Sequence, residues 1–563
     1  MKTINTGFKK ARSARKGRLI LSIFFFIVIM AIAGGVVYWQ THKKKFIREK
    51  IESAIEEKSG GFYTIKYETL DLDEITGFLS ITNLRLGYDT NKYKAMKALH
   101  LDPPTLFNIQ IPEISVEGVK TPRALIDKEI DGRKLTIRNP VIEILYTGRG
   151  KDSLRKVPTR DIYQQILGKL NQISIDSVSI SGAKIITRNQ KTKQTGIELN
   201  NANLDLIDVR VDSTANEDST RLFYSKKQYI SFESLSWLSD DKRYKFHAKN
   251  VSSNSLDQDV NIDEFVLDPL KGEQEFVNSI PTQDDRFDFR FNDIVLKNVN
   301  YFSLEDEEVS ADSMLIRSAS FKVYRDLNIP RDKKNRVGYY PHQAFQKLPV
   351  DIDIRKVVVA NAFIEYKERN NITKNAGKVQ MYDVYATISN FTNKKESIRK
   401  NNVMTLVSNA RFLNKTQFNV NWQFLLRDPD GRFSIKGNLG PRDAKDLNPL
   451  TEPMGPARIQ KGEIKGFSFD FNGSDHSMDG TITLLYDNLK IAALEKDKGA
   501  KEWDKKSLTS LFANILIRNS NLPDDDKPAR KTTVTYQRDP NRSIFNLGWK
   551  TIFKGILETV SRA

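Results

Sequence analysis

Side chains that could do acid–base, nucleophilic or metal chemistry are few and scattered. The five histidines are His42, His100, His247, His342 and His476, and none lies within a helical turn of another. Local spacing therefore makes no metal-binding pair. The chain has no cysteine, which excludes thiolate nucleophiles, iron–sulfur clusters, cysteine-ligated zinc, disulfides and a lipid anchor on cysteine. Two carboxylate pairs, Asp71/Asp73 and Asp351/Asp353, have i, i+2 spacing. On strands such pairs share one face, and a solvated outer face is their simplest reading. Asp428-Pro429-Asp430-Gly431 shares the opening of a calcium loop but lacks its spaced ligands and closing Glu. The chain also lacks a nucleophile elbow, a P-loop and a dinucleotide fingerprint. No catalytic residue, metal ligand or cofactor is assigned, and an enzyme is not expected.

The 563 residues allow several domains or one long repetitive one. With 39% hydrophobic and 28% charged residues, neither collagen nor general disorder fits. The net charge of +18 suggests nucleic acid until it is located. Residues 1–50 carry twelve Lys/Arg and one acid, Glu49, which leaves 77 bases and 70 acids in the rest. A nearly balanced surface over the bulk of the chain argues against a nucleic-acid partner.

The basic excess flanks Leu19 to Trp39, 21 residues without a charge. At ~1.5 Å per residue they reach about 30 Å, the thickness of a bilayer core. Tyr38 and Trp39 suit a membrane interface. A cleaved signal peptide competes, with Ala31-Ile32-Ala33 as its site, but apolar residues continue past it. The expectation is a transmembrane helix over 19–39 behind a basic cytoplasmic tail over 1–18. Spacing of Phe46, Ile47, Ile51, Ala54 and Ile55 predicts an amphipathic helix over 41–61, ended by Gly60 and Gly61.

From residue 62 the period is two, with frequent Val, Ile, Phe and Tyr, as strands require. One pattern recurs: two apolar residues at alternate positions, a polar doublet, then two more. Its four clearest copies are Ile109/Ile111/Ile114/Val116, Ile173/Ile175/Val178/Ile180, Phe289/Phe291/Ile294/Leu296 and Ile352/Ile354/Val357/Val359. Others start at Leu79, Leu135, Ile197, Ile230, Val260, Met314 and Val379, so eleven copies step by 30 residues on average. The doublet returns the same face to the apolar side, as a β-bulge or bend does. Bent, one-sided strands placed side by side make a curved sheet. A step of 30 residues fits a motif strand plus a return strand, which at ~4.8 Å per strand predicts a sheet of roughly 105 Å. A chain of sandwiches, a leucine-rich repeat and a β-helix compete, but linkers are lacking and the steps are uneven.

The predicted fold is thus mainly β: an N-terminal transmembrane helix, then an elongated, curved, repetitive β-sheet with short helices at its ends. The repetitive sheet covers 62–416. A C-terminal β part covers 417–521, with a hairpin turn at Asp430-Gly431. Residues 325–349 read as a basic surface insertion or edge helix, and 522–541 as a polar loop. In the final segment, 522–563, Phe545, Trp549, Ile552, Phe553, Ile556 and Val560 fall on one face of an amphipathic helix.

Taken together, the basic tail, the anchor and repeats such as GFLSITNLRLGYD (77–89), ISIDSVSISGAKI (173–185) and IDIRKVVVANAFI (352–364) resemble the AsmA-like envelope proteins. FSIKGNLGPRDAKDLNPLTEP (433–453) and KGEIKGFSFDFNGSDHSMDGTITLLYDNLKI (461–491) resemble their closing part. That family is similar to the bridge-like lipid transfer proteins. The resemblance implies a taco-like β-groove that shields phospholipid acyl chains between inner and outer membranes. It also implies a single pass through the inner membrane, a periplasmic bulk, and envelope partners at the far end. The twelve residues of the copies beginning at Ile173, Phe289 and Ile352 would line the groove. Burying acyl chains gains ~0.8 kcal/mol per CH₂ and needs no acid, base or metal. The competing expectation is a membrane-tethered scaffold whose apolar faces close on one another.

Overall fold

Most copies of the apolar motif form one strand each and neighbour the next copy; the copy at Leu135 is split over two strands, and one strand without a copy separates those at Ile230 and Val260. This computed structural model describes residues 59–73, 75–119, 128–147, 167, 170–222, 224–371, 373–454, 457–493, 517–524 and 527–561. The expected tail, membrane span and most of the amphipathic helix lie outside the described residues. Among those described, no helix is long and apolar enough to cross a membrane.

The described strands form one long, curved, mixed sheet of 22 strands. They are β1 (Tyr63–Lys66), β2 (Thr69–Asp73), β3 (Phe78–Tyr88), β4 (Thr105–Glu117), β5 (Glu129–Arg138), β6 (Val141–Tyr146) and β7 (Gln172–Asn189). Then come β8 (Thr195–Val211), β9 (Ser225–Leu238), β10 (Tyr244–Asn254), β11 (Asp259–Pro269), β12 (Arg286–Lys297), β13 (Glu308–Asp326), β14 (Asp351–Arg369) and β15 (Ala376–Thr392). The last are β16 (Val403–Phe412), β17 (Thr416–Leu425), β18 (Phe433–Leu439), β19 (Arg442–Asp443), β20 (Ala457–Gly473), β21 (Ser477–Ala493) and β22 (Lys531–Gln537). Three helices matter below: α1 (Thr90–Ala98), α2 (Pro341–Phe345) and α3 (Ile544–Val560).

Spatial order follows chain order. β1 and β2 pair with successive halves of β3. β5 and β6 together span the gap between β4 and β7, and β18 and β19 both pair with β20. The 22 strands thus occupy 19 positions, or roughly 90 Å along the sheet at ~4.8 Å each. The expected return strand is present between only one pair of copies, as β10 between those on β9 and β11. Strands such as β13 and β14 run to 19 residues, so one strand plus its connection fills a whole step. Pairing is antiparallel except that β7 runs parallel to β5 and β6, and β14 parallel to β13.

The polar doublet is the bend. Its second residue has a left-handed backbone at Asn83, Asn139, Asn201, Asp293 and Asp383, as does Asn250 on β10, which carries no copy, with φ between 46° and 52°. Asn and Asp tolerate that conformation better than other side chains bearing a Cβ. These residues sit on β3, at the β5–β6 break, and on β8, β10, β12 and β15. At Asn250 the ladder skips a pair and resumes in the same register, since Lys249 pairs with Glu264 and Val251 with Ile262, passing over Asn250 and Asp263; at Asn201 and Asp383 the register shifts instead. The Asn250 amide donates to the Asp263 carboxylate at 2.9 Å. Skipped pairs line up from strand to strand, so one crease runs along the sheet and folds its apolar face inward.

Two expectations for the C-terminal half are corrected. Within the expected loop 522–541, Lys531–Gln537 is the strand β22, with Thr532 and Val534 buried. Thr532 and Val534 alternate with outward residues, a β pattern hidden by its small side chains. Helix α3 exists, and of its expected face Val560 is buried and Ile552 and Ile556 pack against the core, but Phe545 is 65% exposed and the buried stripe adds Ile544, Leu547, Thr551, Gly555 and Thr559. The reason is close approach: a Cβ on Gly555 would stand 2.8 Å from Ile482. Small residues, with Thr551 and Thr559 bonded back to the helix at 2.8 and 2.7 Å, let α3 lie against β21 and β22.

Candidate functional site

Register turns the motif into continuous rows that run along the sheet across the strands. The first row is Ile197, Trp237, Phe246, Leu267, Phe289 and Phe321. Beside it run Leu199, Leu235, Ala248, Phe265, Phe291 and Ala319. Across the crease lie Phe232, Val251, Ile262, Ile294, Ile316 and Val359. The outermost row is Leu204, Ile230, Ser253, Val260, Leu296, Met314 and Val357. One arm is thus largely aromatic and the other mostly aliphatic. Rings on the aromatic arm touch in sequence: Trp237 stacks on Phe246 at 4.9 Å, Phe265 meets Phe291 at 6.2 Å, and Phe291 meets Phe321 at 5.1 Å.

Burial divides the face into zones. On β3, β4, β5–β6 and β7 every apolar motif position is buried, in a core to which Leu167 and Leu170 add from the connection before β7. On β8, β9 and β11 the motif residues are half-buried, with Leu267 the exception. On β12 to β15 buried and half-buried residues mix. Over β17 to β22 the face is covered by α3, through Ile544 and Leu547, and by Tyr340.

The twelve expected lining residues fall in different zones. Ile173, Ile175, Val178 and Ile180 lie in the closed core; Ile180 pairs with Leu204 and extends the outermost row, while Ile173, Ile175 and Val178 lie beyond the four rows. Phe289 and Phe291 are half-buried on the aromatic arm, and Ile294 and Leu296 are buried across the crease. Val357 and Val359 join the rows of Leu296 and Ile294; Ile354 is buried and Ile352 half-buried nearer the rim. The half-buried residues Ile197, Leu199, Phe232, Leu235, Trp237, Ile262 and Phe265 belong to copies the sequence shows less cleanly.

The 325–349 insertion is a strap. Because β14 runs parallel to β13, the chain must return the length of a strand from Asp326 to Asp351. It leaves along Gln283, whose amide donates to the carbonyls of Leu327 and Ile329 at 3.2 and 3.1 Å. It then meets the segment after β22: Arg336 donates to the Pro540 carbonyl at 2.7 Å and the Asn541 carbonyl at 2.8 Å. Arg538 forms a buried ion pair with Asp475 and lies 4.0 Å from the Tyr340 ring centroid. The Gln343 amide donates to Asp475 at 2.6 Å. His342, on α2, is buried beside Phe424 at 4.9 Å, and burial pushes its pKa down to about 4. The strap thereby anchors the C-terminal zone to the sheet's middle.

Outward-facing positions carry ion pairs across strands, as with Lys249–Glu264 at 2.8 Å and Lys297–Asp259 at 3.0 Å. Hydrogen bonding to Lys249, with help from Arg290, keeps the Glu264 carboxyl below its usual range. Among the described residues no three acidic or histidine side chains are placed to hold a metal. Comparison with models of known protein families and with curated proteins returned no match.

Proposed function

We propose that this is a membrane-anchored envelope protein that shields lipid acyl chains in an apolar β-groove, carrying phospholipids between inner and outer membranes. The observation that supports it is the half-buried aromatic and aliphatic surface on β8, β9 and β11, continuous along the sheet's long axis. An acyl chain laid there removes apolar area from water on both partners, at about 25 cal/mol per Å². The sequence resemblance to AsmA-like proteins and the apolar span 19–39 supply the location: N-terminus in the cytoplasm, bulk in the periplasm.

A second reading, a tethered scaffold with a closed β core, is favoured by the sealed cluster on β3 to β7. The two readings separate on variants Ile262→Glu and Phe265→Glu in the full chain. Lipids extracted from purified protein would be compared with wild type, so that lipid bound at the anchor is common to all samples. Loss of phospholipid at a near-native melting temperature supports the groove. Unfolding of both variants, with no lipid difference, supports the scaffold.

A further inference from the structure

We propose that α1 and the turn after it form a second membrane contact, on the anionic surface of the bilayer that holds the N-terminal span. The inference rests on the membrane-anchored reading. Helix α1 is capped by the Asp89 carboxylate, which accepts from the backbone N–H groups of Asn91 and Lys92. Its inner side is fixed by buried Tyr93, in edge contact with Tyr88 at 5.6 Å. Lys92, Lys94 and Lys97 are exposed, and the helix holds no acid. His100 then takes a left-handed φ of 61°, and the flanking Leu99 and Leu101 stand 70% and 66% exposed. Two adjacent leucines held in water beside three lysines have the composition of an interfacial lipid contact, apolar tips beneath a basic collar.

The position agrees. The Lys92 ammonium donates to the Gly61 carbonyl at 2.9 Å, where the chain enters the sheet. The residues that follow the apolar span are basic in sequence, Lys43, Lys44, Lys45, Arg48 and Lys50, and a short segment with Glu52, Glu56 and Glu57 joins them to that entry. The leucines therefore sit at the end of the sheet nearest the proposed anchor, and anionic lipid complements both lysine groups.

The cysteine-free chain permits a clean test. The full-length variants Leu99→Cys and Leu101→Cys would carry an environment-sensitive fluorophore, with Leu256→Cys as an exposed control in the β10–β11 turn. Each is placed in nanodiscs of phosphatidylcholine with or without phosphatidylglycerol. The expected result is a blue shift at 99 and 101 but not at 256, larger with phosphatidylglycerol, and lost in high salt or on adding Lys94→Glu and Lys97→Glu at an unchanged melting temperature. Disc-bound protein with emission at 99 and 101 matching 256 overturns the inference and leaves the anchor standing. A shift that depends on protein concentration and not on lipid charge assigns the leucines to a second copy and also overturns it. Failure to bind discs at all overturns anchor and inference together.

Discussion

On β3, β4, β5–β6 and β7 all motif positions are buried, whereas on β8, β9 and β11 eleven of the twelve are half-buried. Strand geometry is shared, since Asn83 and Asn139 bend the first region as Asn201 and Asn250 bend the second. The difference lies in what covers the face. Leu167 and Leu170 help fill the first region. In the second, Phe276 and Ile280 pack near Tyr244 and Leu267 at one rim, and Leu222 and Tyr301 near Ile294 and Leu296 at the other. The rows between them stay partly open. A repeat can thus set curvature while its connections decide whether the curved face becomes a core or a trough.

The largest effect expected from this comparison is at Ile175. Ile175→Glu would put an uncompensated carboxylate into the closed core and cost more than about 4 kcal/mol. The same change at Ile262 leaves the carboxylate some water and should cost roughly 1–2 kcal/mol. Denaturant melts of the two variants should differ by at least a factor of two in lost stability, and equal losses would erase the distinction between the regions.

The strap offers a pH test of the covered C-terminal zone. His342 has its folded pKa depressed from 6.5 to about 4 by burial. Its neutral form is therefore favoured by folding. The associated stability is complete above the unfolded value and is lost as pH falls from 6.5 towards 4, on the order of 3 kcal/mol. The variant His342→Phe should flatten the stability slope in that window while leaving the slope below it, where carboxylates titrate, unchanged.

Helix α3 should resist a larger side chain at its closest approach. Gly555→Val would press on Ile482 and Val534 and cost about 2 kcal/mol by overpacking, read as a lower unfolding midpoint. Least of all, Asn250→Val at the crease should cost about 1–2 kcal/mol because a β-branched residue resists the left-handed backbone. Asn250→Gly should be close to neutral by comparison, despite losing the bond to Asp263.

Much of this was legible from residue spacing. The apolar doublets located β3, β4, β7 to β9 and β11 to β15, and the one-residue slip located the crease on most of them; on β7 and β14 the doublets Asp176-Ser177 and Arg355-Lys356 lie to one side of it. The recurrent Asn or Asp in second place of the doublet was also visible as a signal for left-handed backbone, though alternate strands bend without it. Strand pairing was less legible: a 30-residue step fits either a hairpin or one long strand, and only register separates them. β22 escaped notice because Thr532 and Thr533 carry little hydrophobicity. On α3, counting large apolar residues found Ile552, Ile556 and Val560 on the packed side but missed the small buried residues Thr551, Gly555 and Thr559. Zones of burial depend on connections such as the strap, whose course follows from the parallel β13–β14 junction and from nothing local in residues 325–349.

The central claim, that the middle of the sheet faces lipid while its N-terminal end is a core, is tested most directly by site-specific photocrosslinking in cells. A photoreactive phenylalanine analogue would replace Phe265 in one full-length variant and Ile175 in another, with mass spectrometry of the adducts. The account predicts phospholipid adducts at 265 and only intramolecular crosslinks at 175. Intramolecular crosslinks alone at both positions, in protein that melts like wild type, would contradict it.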